Sequence, residues 1–201
     1  MGTRMSRTGL LRRGAVGTGA LLVSSSGLSA FAGVASAATL PDADLAYLRL
    51  LIAAELLAVD FQTHALASGK LRRAAASLAH RIRADENAHY AALSNLMVGA
   101  GQTPATADDI DFAYPKGSFR SQSSIVKLAR RLEHLMVGAY VGANASVEAP
   151  ELRLLIGQVA TNEARHAGAL AALAGRPTVG EPFAPPLPIA AVSRALDEFE
   201  S

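Results

Sequence analysis

Twice in this chain a lone glutamate precedes a Glu-x-x-His step: Glu55 before Glu86-Asn87-Ala88-His89, and Glu133 before Glu163-Ala164-Arg165-His166. Glu55 to Glu86 spans 31 positions and Glu133 to Glu163 spans 30, close to one helix down and one helix back. Residues three apart on a helix share a face, so each carboxylate and imidazole of a Glu-x-x-His step can reach a common point. Four carboxylates and two imidazoles at this spacing are the ligand inventory of a two-metal centre inside a four-helix bundle. Of the nine glutamates only Glu86 and Glu163 have histidine at the third following position, so composition alone does not account for the repeat.

An oxygen-rich ligand set with two imidazoles suits iron or manganese. The chain has no cysteine, which excludes disulfides and thiolate metal ligands and argues against copper(I) or structural zinc. Each glutamate also interrupts an apolar stripe: Glu55 lies among Leu51, Ile52 and Val59, and Glu86 between Ile82 and Leu93. Glu133 follows Ala129 and precedes Met136 and Val137, and Glu163 lies between Val159 and Ala167. Isolated ionised carboxylates facing a core are costly, and a shared pair of cations removes the penalty. The competing reading places these glutamates on solvated faces, or pairs them with Arg81, Arg83, Arg130, Arg131 or Arg165. Gln62 and Tyr140, each seven residues after a bare glutamate, share its face and are candidates for contact with the site or for plain packing. His64, His80 and His134 fall outside the register and read as surface or packing residues.

The elements that must position these side chains are four long helices. Pro41-Asp42 opens the first, which runs to about Ala67 before Ser68-Gly69. The second is expected from Lys70 to about Val98, stopped by Gly99-Ala100-Gly101. Residues 102–120, rich in Pro, Thr, Asp and Gly, form a linker long enough to cross the length of a bundle. A third helix is expected from about Ser121 to Ala145, and a fourth begins at Pro150 and ends near Gly175-Arg176-Pro177. A tail with Pro182, Pro185, Pro186 and Pro188 leads into a short helix from about Ile189 to Phe199, which should pack along the bundle.

The first 37 residues read as an export signal. They carry Arg4, Arg7, Arg12 and Arg13 with no acidic residue, a mildly apolar stretch from Gly14 to Val34, and Ala35-Ser36-Ala37 as a small-x-small cleavage site. Arg12-Arg13 resembles a twin-arginine signal, although Leu11 stands where Ser or Thr is usual. Cleavage leaves residues 38–201 as one domain of 164 residues, and the formal charge falls from +2 to −2. The protein is therefore expected outside the cytoplasm, in the periplasm, cell envelope or extracellular space, with no stable membrane insertion after processing. No basic patch with interleaved aromatics occurs in residues 38–201, so nucleic acid is not an expected partner; the expected partners are metal ions, with a homodimer left open.

Four stretches carry a family resemblance: Ala54-Glu55-Leu56-Leu57-Ala58-Val59-Asp60-Phe61, Asp85-Glu86-Asn87-Ala88-His89, Glu133-His134-Leu135-Met136-Val137-Gly138-Ala139-Tyr140 and Asn162-Glu163-Ala164-Arg165-His166-Ala167. With them the chain resembles the ferritin-like superfamily, and within it the exported bacterial ferritin-like domain proteins, some labelled desiccation-related. The resemblance implies an all-α, ferritin-like four-helix bundle with one long crossover and a short C-terminal helix. It implies two Fe or two Mn ions held by Glu55, Glu86, His89, Glu133, Glu163 and His166, with Glu86 and Glu163 bridging. It does not imply a reaction. Three functions stay open: a di-metal oxidoreductase acting on peroxide, dioxygen or ferrous iron; a metal-binding protein without turnover; and a stress-related structural bundle.

Overall fold

A computed structural model of the protein describes residues 40–200; the expected export signal, residues 1–37, lies outside the described residues. Five α-helices are present among them: α1 Asp42–Ala67, α2 Arg73–Gly99, α3 Gln122–Ser146, α4 Pro150–Leu173 and the short α5 Ile189–Asp197. The fold is all-α, and its only extended pairing among the described residues is an isolated bridge between Phe112 and Glu200.

Local chemistry sets the ends of these helices. Asp42 and Asp44 occupy the first turn of α1 behind Pro41, where negative charge suits the helix dipole. Gly69 after α1 and Gly101 after α2 take positive φ of 64° and 72°, conformations that a side chain would strain. The Ser121 hydroxyl accepts from the Ser124 amide to cap α3, and Pro150 starts α4. The helix α2 begins at Arg73 rather than at Lys70. Arg72 is extended, with ψ 162°, and caps the helix; Ser68 Oγ accepts from the Lys70 amide and Gln122 Oε1 of α3 from the Arg72 amide, which satisfies donors that a first turn leaves free.

Helices α1 and α2 form one hairpin and α3 and α4 the other, meeting through α1 against α3 and α2 against α4. Asp44, fully buried near the start of α1, accepts from the amides of Glu148 and Ala149 at the turn between α3 and α4. The first hairpin thereby caps the entrance to α4, and α1 runs antiparallel to α3. The linker crosses the bundle as expected. Gln102, at its start, accepts from Arg49 near the beginning of α1. Tyr114 and Phe119, near its end, pack on Phe61 and His64 in the last turns of α1, and the Tyr114 hydroxyl donates to Asp60.

The core between the hairpins is aliphatic, with Leu48, Leu51, Ile52, Ile82, Leu93 and Ile156 fully buried. Each such side chain contributes about 1.5–3 kcal/mol by leaving water. The tail packs along the bundle on the outside of α3: the Leu187 amide donates to the Gly138 carbonyl, and a Cβ on Gly142 would sit 2.0 Å from the Leu187 carbonyl oxygen. No helix among the described residues is long and apolar enough to cross a membrane.

Candidate metal centre

All four main helices deliver one carboxylate to the same point in the core. Glu55 comes from α1, Glu86 and His89 from α2, Glu133 from α3, and Glu163 and His166 from α4. Glu55, Glu86 and Glu163 have no exposed surface, Glu133 retains 2%, His166 5% and His89 9%. The structure thus brings together every residue of the expected ligand set. The arginine alternative does not occur: among the described residues the ion pairs of these four glutamates run only to His89 and His166. Arg131 instead pairs with Glu198, and Arg165 donates to Asn162.

The atoms fall into two overlapping groups. His89 Nδ1 lies 3.0 Å from Glu86 Oε2, 3.0 Å from Glu163 Oε1 and 3.5 Å from Glu55 Oε2. His166 Nδ1 lies 3.3 Å from Glu86 Oε1, 3.6 Å from Glu133 Oε2 and 3.8 Å from Glu163 Oε2. Glu86 and Glu163 therefore each give one oxygen to either half, while Glu55 and Glu133 serve one half each. Within each four-residue group, the donor atoms lie within 4.8 Å of one another.

Six buried atoms of this cluster have no hydrogen-bond partner: Glu55 Oε2, Glu86 Oε1, Glu133 Oε2, both oxygens of Glu163, and His166 Nδ1. Buried polar atoms are ordinarily paired, and so many orphans at one point are what cation ligands look like when only protein atoms are counted. The donor set, all carboxylate oxygen and imidazole nitrogen, fits a pair of iron or manganese ions.

Without a cation the cluster must balance its charges with protons. Burial pushes the Glu55 and Glu133 carboxyls well above the ordinary value of 4.5, reinforced by neighbouring Glu86 and Glu163. Burial acts in the same direction on Glu86, but the His166 and His89 rings beside it outweigh that and hold the carboxylate at about 2. Burial alone would lower His89, yet the Glu163, Glu55 and Glu86 carboxylates around it push it up to about 12. His166 is raised in the same way against its own burial, by Glu133, Glu163 and Glu86.

A ring of partners surrounds the ligands. The buried Tyr140 hydroxyl donates to Glu55 Oε1, reaching across from α3 to α1 rather than to Glu133 on its own helix. Gln62 is buried as well, but makes no hydrogen bond among the described residues. Two partners were not anticipated: Asp85 Oδ2 accepts from His166 Nε2 at 3.0 Å, and the Asn162 side-chain amide lies 3.2 Å from Nε2 of both histidines. Their signal was in the sequence, since each immediately precedes the glutamate of a Glu-x-x-His step. His64, His80 and His134 are exposed and apart from the site.

Comparison with curated proteins finds none that matches. A family model described as the ferritin-like domain matches residues 43–176, from the first turn of α1 to just past α4, and so contains every residue of the cluster. The chain belongs to the ferritin-like domain family.

Proposed function

We propose that the protein is an exported di-metal protein that holds two iron or two manganese ions between Glu86 and Glu163 and uses them in redox chemistry on a small oxidant. The observation that carries this reading is the set of six unpartnered donor atoms at the centre of a cluster in which Glu86 and Glu163 each turn one oxygen toward either histidine. Glu55 and His89 would complete one half, Glu133 and His166 the other. Bound there, the cations would supply one- and two-electron transfer and Lewis acidity that side chains lack.

The chain's own contribution is to orient and to exclude. The near-complete burial of the ligands keeps bulk water away and restricts access to reactants the size of peroxide or dioxygen, or to electrons alone. The Tyr140 hydroxyl fixes the Glu55 carboxylate, and the Asp85 carboxylate fixes the His166 ring. The same burial also suits a protein that sequesters metal without turnover. Tight loading at two equivalents with no peroxide or dioxygen consumption above background would favour that second reading.

Export is part of the proposal, supported by the arginine-rich start, the apolar stretch and Ala35-Ser36-Ala37. A twin-arginine route carries folded chains and would let iron or manganese load before copper and zinc, which bind such ligands more tightly, are met outside. Export unchanged by R12K/R13K would count against that route. The central test is metal analysis of protein recovered from the exported pool, beside Glu86→Ala and Glu163→Ala. Two equivalents in the parent and a loss in both variants are expected. Variants that keep two equivalents would overturn the ligand assignment.

A further inference from the structure

We infer that the two halves of the cluster are unequal and take up divalent cations in order, the Glu133–His166 half first and the Glu55–His89 half second. The inference rests on the two-cation reading above and concerns the residues one layer outside the ligands. To act as a ligand through Nδ1, an imidazole must keep its remaining proton on Nε2, and whatever faces Nε2 decides how readily it does so.

The two rings differ at that atom. His166 Nε2 donates to Asp85 Oδ2 at 3.0 Å, so a carboxylate holds the outward proton and leaves Nδ1, already without a hydrogen-bond partner, aimed into the cluster. The Asn162 amide nitrogen lies 3.2 Å from both Nε2 atoms, and for His89 it is the one polar partner there among the described residues, so the Asp85 carboxylate is what separates the rings. Arg165 Nη1 donates to Asn162 Oδ1 at 3.1 Å, which leaves the amide nitrogen toward the ring. That nitrogen is a donor and cannot accept the Nε2 proton. Using His89 Nδ1 as a ligand therefore requires the Asn162 amide to turn over and release Arg165.

A second difference runs the same way. Glu55 Oε1 gives a lone pair to the Tyr140 hydroxyl, which draws electron density from that carboxylate, whereas no hydroxyl among the described residues donates to Glu133. Both differences make the Glu133–His166 half the stronger donor set and the Glu55–His89 half the adaptable one. Asp85 and Asn162 are positioning residues here, acting on cations through the histidines.

The test is titration of the metal-free exported protein with Mn(II), following free and bound Mn(II) by electron paramagnetic resonance. The parent should bind one Mn(II) at least about tenfold more tightly than the second, and at one equivalent show an isolated ion rather than a coupled pair. Asp85→Asn should weaken the first step about 10–100-fold and leave the second, the usual scale for an outer partner of a metal-bound histidine. Asp85→Glu should restore part of the loss, and Asn162→Asp, which gives His89 the carboxylate that His166 already has, should tighten the second step more than the first. Two equal steps in the parent, or variants that shift both steps alike, overturn the ordering while the two-cation reading stands. Failure of the parent to bind Mn(II) overturns both. Melting of the metal-free variants at the parent's temperature separates the effect from misfolding.

Discussion

The two helical hairpins place the same ligand set at nearly the same spacing, and Asn162 touches both histidines, yet the other partners of those ligands differ. In the α1–α2 hairpin, Glu55 carries the Tyr140 hydroxyl and His89 faces a neutral amide. In the α3–α4 hairpin, Glu133 has no tyrosine and His166 faces the Asp85 carboxylate. The Pro-rich segment lies against α3, in the groove that Gly138 and Gly142 open, while α5 beyond it packs on both α3 and α1. A repeated motif thus fixes which atoms meet, while the unrepeated residues around it decide how each meeting behaves.

The largest expected effect separates shared ligands from private ones. Glu86→Ala or Glu163→Ala removes an oxygen from both halves and should leave almost no bound metal, while Glu55→Ala or Glu133→Ala should each leave about one equivalent. Metal analysis after gel filtration distinguishes the two patterns. Four variants with the same loss would mean that the halves are not separable.

Metal removal comes next in size. Cations that bind only the folded state stabilise it by about 4 kcal/mol when free metal stands at about a thousand times Kd. For a chain of this length that is on the order of 10 °C in Tm. Chelation should lower the parent's Tm by about that much and leave Glu86→Ala unmoved, as calorimetry would show.

The third prediction concerns pH. In the metal-free fold, Glu55 and Glu133 hold protons that an unfolded chain releases above 4.5, and His89 and His166 hold protons that it releases above 6.5. A native state that binds more protons loses stability as pH rises, so these groups favour the metal-free fold at low pH and lose that advantage on the way up. Glu86 acts oppositely: its depressed value stabilises above 4.5 and fails as pH falls toward about 2. The metal-free protein should therefore be most stable near pH 4.5 and weaken above it, more steeply from about pH 6.5 toward pH 9. Metal affinity should rise over that upper range, because loading must expel the same protons. Denaturant titration with and without metal at pH 5.5 and 8.5 checks the opposed trends; parallel trends would contradict the proton inventory.

Much of this was legible in the sequence, for identifiable reasons. The Glu and Glu-x-x-His register selected the six converging residues because helical periodicity fixes a face and the bundle fixes which faces meet. Pro41, Gly69 and Pro150 marked helix ends through backbone restrictions that hold in any context. What periodicity does not encode is the partner across an interface. Tyr140 was legible as sharing the Glu133 face, but its hydroxyl crosses to Glu55. Asp85 sits four residues before His89 on one helix and bonds instead to His166 on the neighbouring one. At the start of α2 the Arg72 amide likewise finds its acceptor on Gln122, fifty residues away.

The smallest effect tests the seat of the tail on α3. Gly142→Ala would drive a methyl into the Leu187 backbone and should cost about 1–3 kcal/mol, the usual range for overpacking, without changing metal stoichiometry. Loss of metal in that variant would tie the tail to the site, and the hairpins could no longer be treated apart.

The most direct test of the central claim is a crystal of the Mn(II)-loaded protein, with anomalous difference density recorded near the manganese edge. Two peaks are expected, both flanked by Glu86 and Glu163, one beside His89 Nδ1 and the other beside His166 Nδ1. Density confined to the surface, or no density between those two glutamates, would contradict it.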